Sequence, residues 1–299
     1  GDRMSFAQKI WQMVTGAQFE KSEAAVLEQP IAAPNNTKIL QRVPESYEKR
    51  NALDHRLFSA VIIDMKTSGS NPKQDNIIEI AALKFSFTNE EGIIDVLGTY
   101  ETFEGSPINW EQVSTLLEDC NLVICHNSRL HRNFLEIQTP LFIQEMVKKL
   151  PFACTMLDID WAARDNESPR VKYINFELGY YYQALGVTEC WAIFNILVNA
   201  PLAFDELKEN VRKAKLLVCA VNVPLEKSDI LKKRQYIWSN GHGKFPKCWW
   251  KILNKESLEA EFQFLDDAIY GQKGSANNLS YMVVPHSMRY SFRVAHLFD

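Results

Sequence analysis

Residues 61–84 run Val61-Ile62-Ile63-Asp64-Met65-Lys66-Thr67-Ser68-Gly69-Ser70-Asn71-Pro72-Lys73-Gln74-Asp75-Asn76-Ile77-Ile78-Glu79-Ile80-Ala81-Ala82-Leu83-Lys84: two apolar segments on either side of a polar turn. The segments Ala60 to Asp64 and Ile77 to Phe87 are apolar enough to predict central strands, since a strand covered on both faces shows a near-continuous apolar run. Leu122-Val123-Ile124-Cys125 predicts a third, ending at His126-Asn127. From Phe58 to about Ala203 the pattern is strand, turn, strand, strand, then alternating helices and strands, which predicts an α/β layer fold. In open α/β sheets functional side chains gather at strand ends and the helix starts that follow, which places Asp64 and His126-Asn127 where a site is expected.

Working outward, residues 1–55 are expected to form a helical arm and linker. Phe6, Ile10, Met13 and Val14 fall at helical spacing with Trp11 beside them, a second helical stretch runs through Ala24 to Leu27, and residues 29–36 contain two prolines and two asparagines. Residues 56–203 form the α/β domain and residues 204–299 a small α+β module. In the module, a short helix from Ser228 and a strand ending at Trp238 precede a glycine turn, a strand holding Trp249 and Trp250, and an amphipathic helix from Leu258 to Ile269. Together they predict an αββα unit. The helix expected from about Tyr173 to Leu185, ended by Gly186, carries Tyr180, Tyr181 and Tyr182, which cannot all point one way, so at least one is expected at the surface.

The 299 residues are 46% hydrophobic, enough for a sizeable core. A net charge of -4 and a pI of about 5.9 argue against a general attraction to phosphate backbones, leaving Lys232-Lys233-Arg234 as a local basic candidate. Cys120, Cys125, Cys154, Cys190, Cys219 and Cys248 lack Cys-x-x-Cys pairing and are expected as buried free thiols in a reducing compartment. No apolar run approaches the roughly 18 residues a membrane helix needs, and no basic start leads into an apolar stretch. The expectation is a cytoplasmic protein without direct membrane insertion.

The stretch at 61–84 resembles the first motif of the DnaQ-like (DEDDh) 3′ to 5′ exonucleases, an apolar strand ending in Asp-x-Glu-Thr-Thr-Gly. Asp64 matches the aspartate, and Lys66 stands where the family has glutamate. Residues 121–136 resemble the second motif, a strand ending in His-Asn, with His131 at the position of a metal-binding aspartate. Leu185-Gly186 followed by Cys190-Trp191-Ala192-Ile193-Phe194-Asn195 resembles the third, with Cys190 in place of the general-base histidine and Asn195 in place of the last carboxylate. The resemblance covers roughly residues 37–203 and implies a ribonuclease H-like exonuclease fold, a mixed sheet flanked by helices. Residues 106–110 run almost directly into the next helix, where relatives carry a longer nucleotide-seating stretch. The C-terminal segment resembles an extension of some bacterial members in its blocks 232–238, 246–250, 258–265 and 289–293.

Of the five positions so matched, only Asp64 keeps its carboxylate. Two-metal phosphodiester hydrolysis needs several carboxylates around ions about 3.5–4 Å apart. Magnesium demands near-octahedral oxygen coordination, which a lysine or asparagine cannot supply in place of anionic ligands. The resemblance therefore implies an inactive pseudo-exonuclease with no cofactor and no metal, in which Lys66 is expected to replace the lost metal charge beside Asp64. His126 and Asn127 are expected to brace the strand end. Cys190 suits either a core thiol or a nucleophile, and Asp64, His126, His131 and Cys190 form an alternative metal set if they converge. Trp249 and Trp250 with Lys244, Lys247 and Lys251 suit either a small core or a nucleic-acid stacking platform.

The resulting expectation is a protein-binding or scaffolding subunit of a bacterial multiprotein complex, such as secretion or replication machinery, with a homodimer also plausible. Trp11, Tyr180, Tyr181, Tyr182, Trp249 and Trp250 are the interface candidates. The alternatives are a non-catalytic single-stranded nucleic-acid binder and a residual 3′ to 5′ exonuclease.

Overall fold

The computed structural model describes residues 37–53 and 55–299. Trp11 and the expected helices of the arm lie outside the described residues. Strands β1 (Gln41–Arg42), β2 (Phe58–Thr67), β3 (Ile77–Thr88), β4 (Gly92–Glu101), β5 (Leu122–Cys125) and β6 (Phe152–Cys154) open the fold. Five of them make a sheet of order β4-β3-β2-β5-β6, with β2, β3 and β4 antiparallel and β5 and β6 parallel to β2. This mixed sheet with helices on both faces is the ribonuclease H-like α/β arrangement.

Residues 60–63 are fully buried because β2 is central and covered on both sides. Its alternation divides the side chains between two cores. Val61, Ile63 and Met65 meet α1 (Trp110–Leu117), α2 (Ser128–Gln138) and α3 (Leu141–Lys149) through Val113, Leu117, Phe134, Leu135, Ile143 and Val147. Ala60 and Ile62 face the opposite core, built with α4 (Val171–Glu177), α5 (Val187–Asn199) and α6 (Ala203–Arg212). On that side Phe85 packs edge-on against Phe194 and Phe204, and Tyr47 against Phe194. Val43 and Tyr47, placed in the linker from sequence, thus belong to this core. So do Phe204 and Leu207, which sequence assigned to the C-terminal module.

The helix expected over 173–185 stops early. Gly179 turns the backbone into the left-handed region (φ +91°), ending α4, and β7 (Tyr180–Tyr181) then pairs in parallel with β1. Tyr181 is 51% exposed, whereas Tyr180 and Tyr182 pack partly against the core. The tyrosine run is therefore extended, and its alternation determines which ring is exposed.

The C-terminal module contains β8 (Lys215–Ala220), α7 (Ser228–Lys233), β9 (Ile237–His242), β10 (Phe245–Asn254), α8 (Leu258–Phe264), a π-helical continuation over Leu265–Tyr270, and β11 (Tyr281–Val284). The expected αββα elements are present, but β8 and β11 complete a four-stranded antiparallel sheet of order β11-β8-β10-β9. After Lys215 the run Leu216-Leu217-Val218-Cys219-Ala220 is short and apolar throughout, so its periodicity does not distinguish strand from helix.

Residues 287–293 tie this module to α2. The Arg132 side chain is fully buried. It donates to Glu136 Oε1 (2.8 Å), the Arg289 carbonyl (2.9 Å), the Val147 carbonyl (3.2 Å) and the Ser287 carbonyl. Glu136 also accepts from Ser291 Oγ (2.5 Å) and Arg293 Nη2 (3.0 Å). The guanidinium of Arg132 also lies 4.3 Å from the centre of the Phe152 ring, a cation–π contact.

Candidate active-site cavity

A cavity of about 220 Å³ opens at the C-terminal end of β2, lined by Asp64, Met65, Lys66, Glu79, Ile80, Ala81, Ala184, Gly186 and Glu189. Antiparallel pairing of β2 with β3 sets Lys66 directly opposite Glu79. Their side chains form an ion pair with Nζ 2.7 Å from Oε2, and Glu79 Oε1 accepts from the Glu104 N–H. The Lys66 bond holds the Glu79 carboxyl below its usual range. The expectation that Lys66 would neutralise Asp64 is thus corrected: the cross-strand carboxylate takes the ammonium, and its charge reaches Asp64 only as a small effect.

Among the described residues, Asp64 is left without a close cation. Burial first and the charge of Glu189 second push its carboxyl up to about 7. His131 Nε2 lies 3.8 Å from Asp64 Oδ1, but burial pushes the His131 imidazole down to about 4, so near neutral pH the contact is not an ion pair. His131 Nδ1 is buried with no hydrogen-bond partner among the described residues. The second wall comes from α5, where Glu189 faces the cavity and accepts a hydrogen bond from the Tyr182 hydroxyl at 2.9 Å. Burial raises the Glu189 carboxyl, partly opposed by Tyr182 and Lys172.

The remaining matched positions do not reach the cavity wall. Cys190 points into the core, with Sγ 3.9 Å from the Ile62 carbonyl oxygen, and burial drives its thiol well above the ordinary range. A thiolate nucleophile is disfavoured there. Asn195 is buried in an amide network, donating to Asn175 Oδ1 (2.9 Å) and accepting from Asn199 Nδ2 (2.8 Å). His126 Nδ1 lies 2.9 Å from Thr155 Oγ1, and burial lowers its imidazole to about 4. Asn127 caps α2, accepting from the Leu130 N–H at 3.3 Å. Among the described residues, no three His, Cys, Asp or Glu side chains are grouped so as to hold a metal ion, so the alternative set Asp64, His126, His131 and Cys190 does not converge.

Sequence reasoning missed Glu79 and Glu189, and gave Tyr182 as an interface candidate rather than as the partner of Glu189. Glu79 was not accessible by counting outward from the turn, because a register shift between Lys66 and Thr67 sets Glu79 opposite Lys66 where an unbroken count from the Thr67–Ile77 pair gives Ile78. Glu189 is next to a matched position but projects from a different side of α5. The interface candidates also divide. Trp250 is buried, with Phe245 at 6.1 Å and the Arg129 guanidinium at 5.0 Å, so it packs between the module and α2. Trp249 is only partly buried.

No family model matches this chain, and no curated protein matches it. Among solved structures, E. coli exonuclease I in complex with a 5cy-dA13 oligonucleotide is similar over 66% of this chain and 63% of that one, at 12% identity and a TM-score of 0.37. The same enzyme with a dA16 oligonucleotide gives 11% identity and a TM-score of 0.39 over the same shares. A structure described as the apo form of the nuclease gives 16% identity and a TM-score of 0.30, over 51% of this chain and 72% of that one. The present chain thus spans less than two thirds of the exonuclease I chain.

Proposed function

We propose that this chain is a non-hydrolytic member of the exonuclease-like fold, a DnaQ-like pseudo-exonuclease that serves as a protein-binding subunit of a bacterial multiprotein assembly. The observation that carries the first half is the Lys66–Glu79 pair: the ammonium occupies a ligand position and ties up the neighbouring carboxylate. With Glu79 engaged by Lys66, Asp64 and Glu189 are the other carboxylates among the described residues lining the cavity, fewer than a two-metal site needs. The second half draws on the rim. Phe103 and Leu185 are 52% and 55% exposed and flank Gly186 at the cavity mouth, and exposed apolar groups beside a cavity suit a protein partner.

The test has two parts. End-labelled single-stranded DNA incubated with the protein and Mg²⁺ or Mn²⁺ should stay intact, and release of nucleotides abolished by Asp64→Ala would establish residual exonuclease activity instead. Purification from native cells with and without added nuclease should recover the same stoichiometric protein partners. Partners lost on nuclease treatment would refute direct protein binding.

A further inference from the structure

Helix α7, helix α8 and the π-helical continuation pack on one face of the C-terminal sheet through Leu231, Phe262 and Leu265, but its outer strands remain accessible. Register pairs Trp238 of β9 with Trp249 of β10, and Asn240 with Lys247, so alternation brings these four side chains to one face. Trp238 is 48% exposed, Asn240 and Lys247 are exposed, and Trp249 is half-buried. The two indoles lie 5.5 Å apart, tilted by 60°. Trp238 Nε1 donates to Asn240 Oδ1 at 2.8 Å, which orients the ring while half of the residue stays open to solvent.

Cations border the rings. Lys232 of α7 places Nζ 6.0 Å from the centre of the Trp249 ring, and Lys247 sits one cross-strand position further along the face. Two carboxylates lie close by. Asp229 pairs with Lys232 at 3.1 Å in an exposed contact that another anion can displace, and Glu261 is held by Arg234 and Tyr236. Residues 213–299 contain 13 Lys and Arg against 8 Asp and Glu, a formal +5 within a chain of net -4. The module is therefore basic on an otherwise acidic chain.

We propose that this strip binds single-stranded nucleic acid, with bases stacking on Trp238 and Trp249 and backbone phosphates meeting Lys232 and Lys247. An indole face accepts any flat base, while lysines beside it satisfy the phosphates. The tilt between the rings suits splayed bases of a single strand better than a stacked duplex. An acidic peptide would satisfy the lysines but would leave the indole faces without a flat partner. This assignment is independent of whether the Asp64 cavity hydrolyses anything.

The test uses the full chain in EDTA with a fluorescein-labelled oligothymidylate about 15 nucleotides long, within the range of single-strand site sizes. Anisotropy should rise saturably while tryptophan emission is quenched. Two phosphate contacts predict a slope of log K against log salt of about -1.4, and Lys247→Ala should make it shallower by about 0.7. Trp238→Ala should weaken binding about 5-fold or more, the loss of one stacked base. Both side chains are exposed, and a melting curve for each variant confirms that the fold is kept. Absence of binding at low salt, or binding indifferent to Trp238→Ala, would overturn the assignment. So would a polyglutamate peptide that binds equally well and equally requires Trp238, which would identify an acidic peptide as the ligand.

Discussion

Asp64→Asn should make this protein more stable, by an amount that depends on pH. The Asp64 carboxyl rises from 3.8 to about 7 in the fold, because burial and the Glu189 charge oppose ionisation while the nearest ammonium is engaged by Glu79. Below pH 4 the residue is neutral in both folded and unfolded chains and costs nothing. Between about 4 and 7 the unfolded chain ionises and the folded one does not, so stability is lost as pH rises, and the loss levels off above about 7. About 3 pH units at 1.36 kcal/mol each give a ceiling of about 4 kcal/mol. A quarter of the side chain is exposed and Glu189 titrates beside it, so about 2–4 kcal/mol is expected. Asparagine resembles the protonated acid in size and charge. At about 2–4 °C per kcal/mol for a chain of this size, melting at pH 8 should rise by about 5–10 °C, with little change near pH 4. Thermal denaturation of both proteins between pH 4 and 8.5 measures this. An equal gain at both ends of the range, or a loss at pH 8, would refute the account of Asp64 as an uncompensated buried acid. A rise in wild-type melting temperature with Mg²⁺ that disappears in Asp64→Asn would reveal a metal site and overturn the proposed loss of metal chemistry.

Three other perturbations follow from the geometry. Arg132→Ala removes a fully buried guanidinium, leaves the Arg289 carbonyl without its donor and leaves the Ser287 carbonyl to Arg293 alone. It should cost about 3–5 kcal/mol, and limited proteolysis should cut first within residues 285–299. Lys66→Glu places a carboxylate beside Asp64 and Glu79. Its melting temperature should fall in EDTA and recover with Mn²⁺, whereas no recovery would count against the match of this position to a metal-ligand site. Asn127→Ala deletes the α2 cap and should cost about 1 kcal/mol in denaturant unfolding without altering binding.

Reversing the proposed substitutions carries a structural cost that is spread through the fold. Asn195 is integrated with Asn175 and Asn199, and an aspartate there would bring a charge into a buried amide network. Cys190 fills core space against β2, where a histidine would need room. Restoring all four substituted positions together therefore tests the sequence match and the plasticity of the core at once. The single Lys66→Glu change separates them, because Lys66 is half exposed.

What the sequence determined by itself was local. The apolar runs at 60–64, 77–87 and 122–125 specified central strands because burial on both faces requires nearly every side chain to be apolar. His126-Asn127 marked the following helix start, and the presence of lysine at 66 set the charge of the cavity. Tertiary structure decided which groups meet. Register gave Lys66 to Glu79 rather than to Asp64, a left-handed Gly179 turned Tyr180 to Tyr182 from a helix into an extended segment, and α5 brought Glu189 from more than a hundred residues away to oppose Asp64. Trp249 and Trp250 adjoin in sequence, yet strand alternation buried one and left the other partly open. Periodicity reports how a segment divides its faces, but partners across a sheet and the desolvation that shifts an ionisation depend on contacts between distant segments, which exist only once the chain has folded.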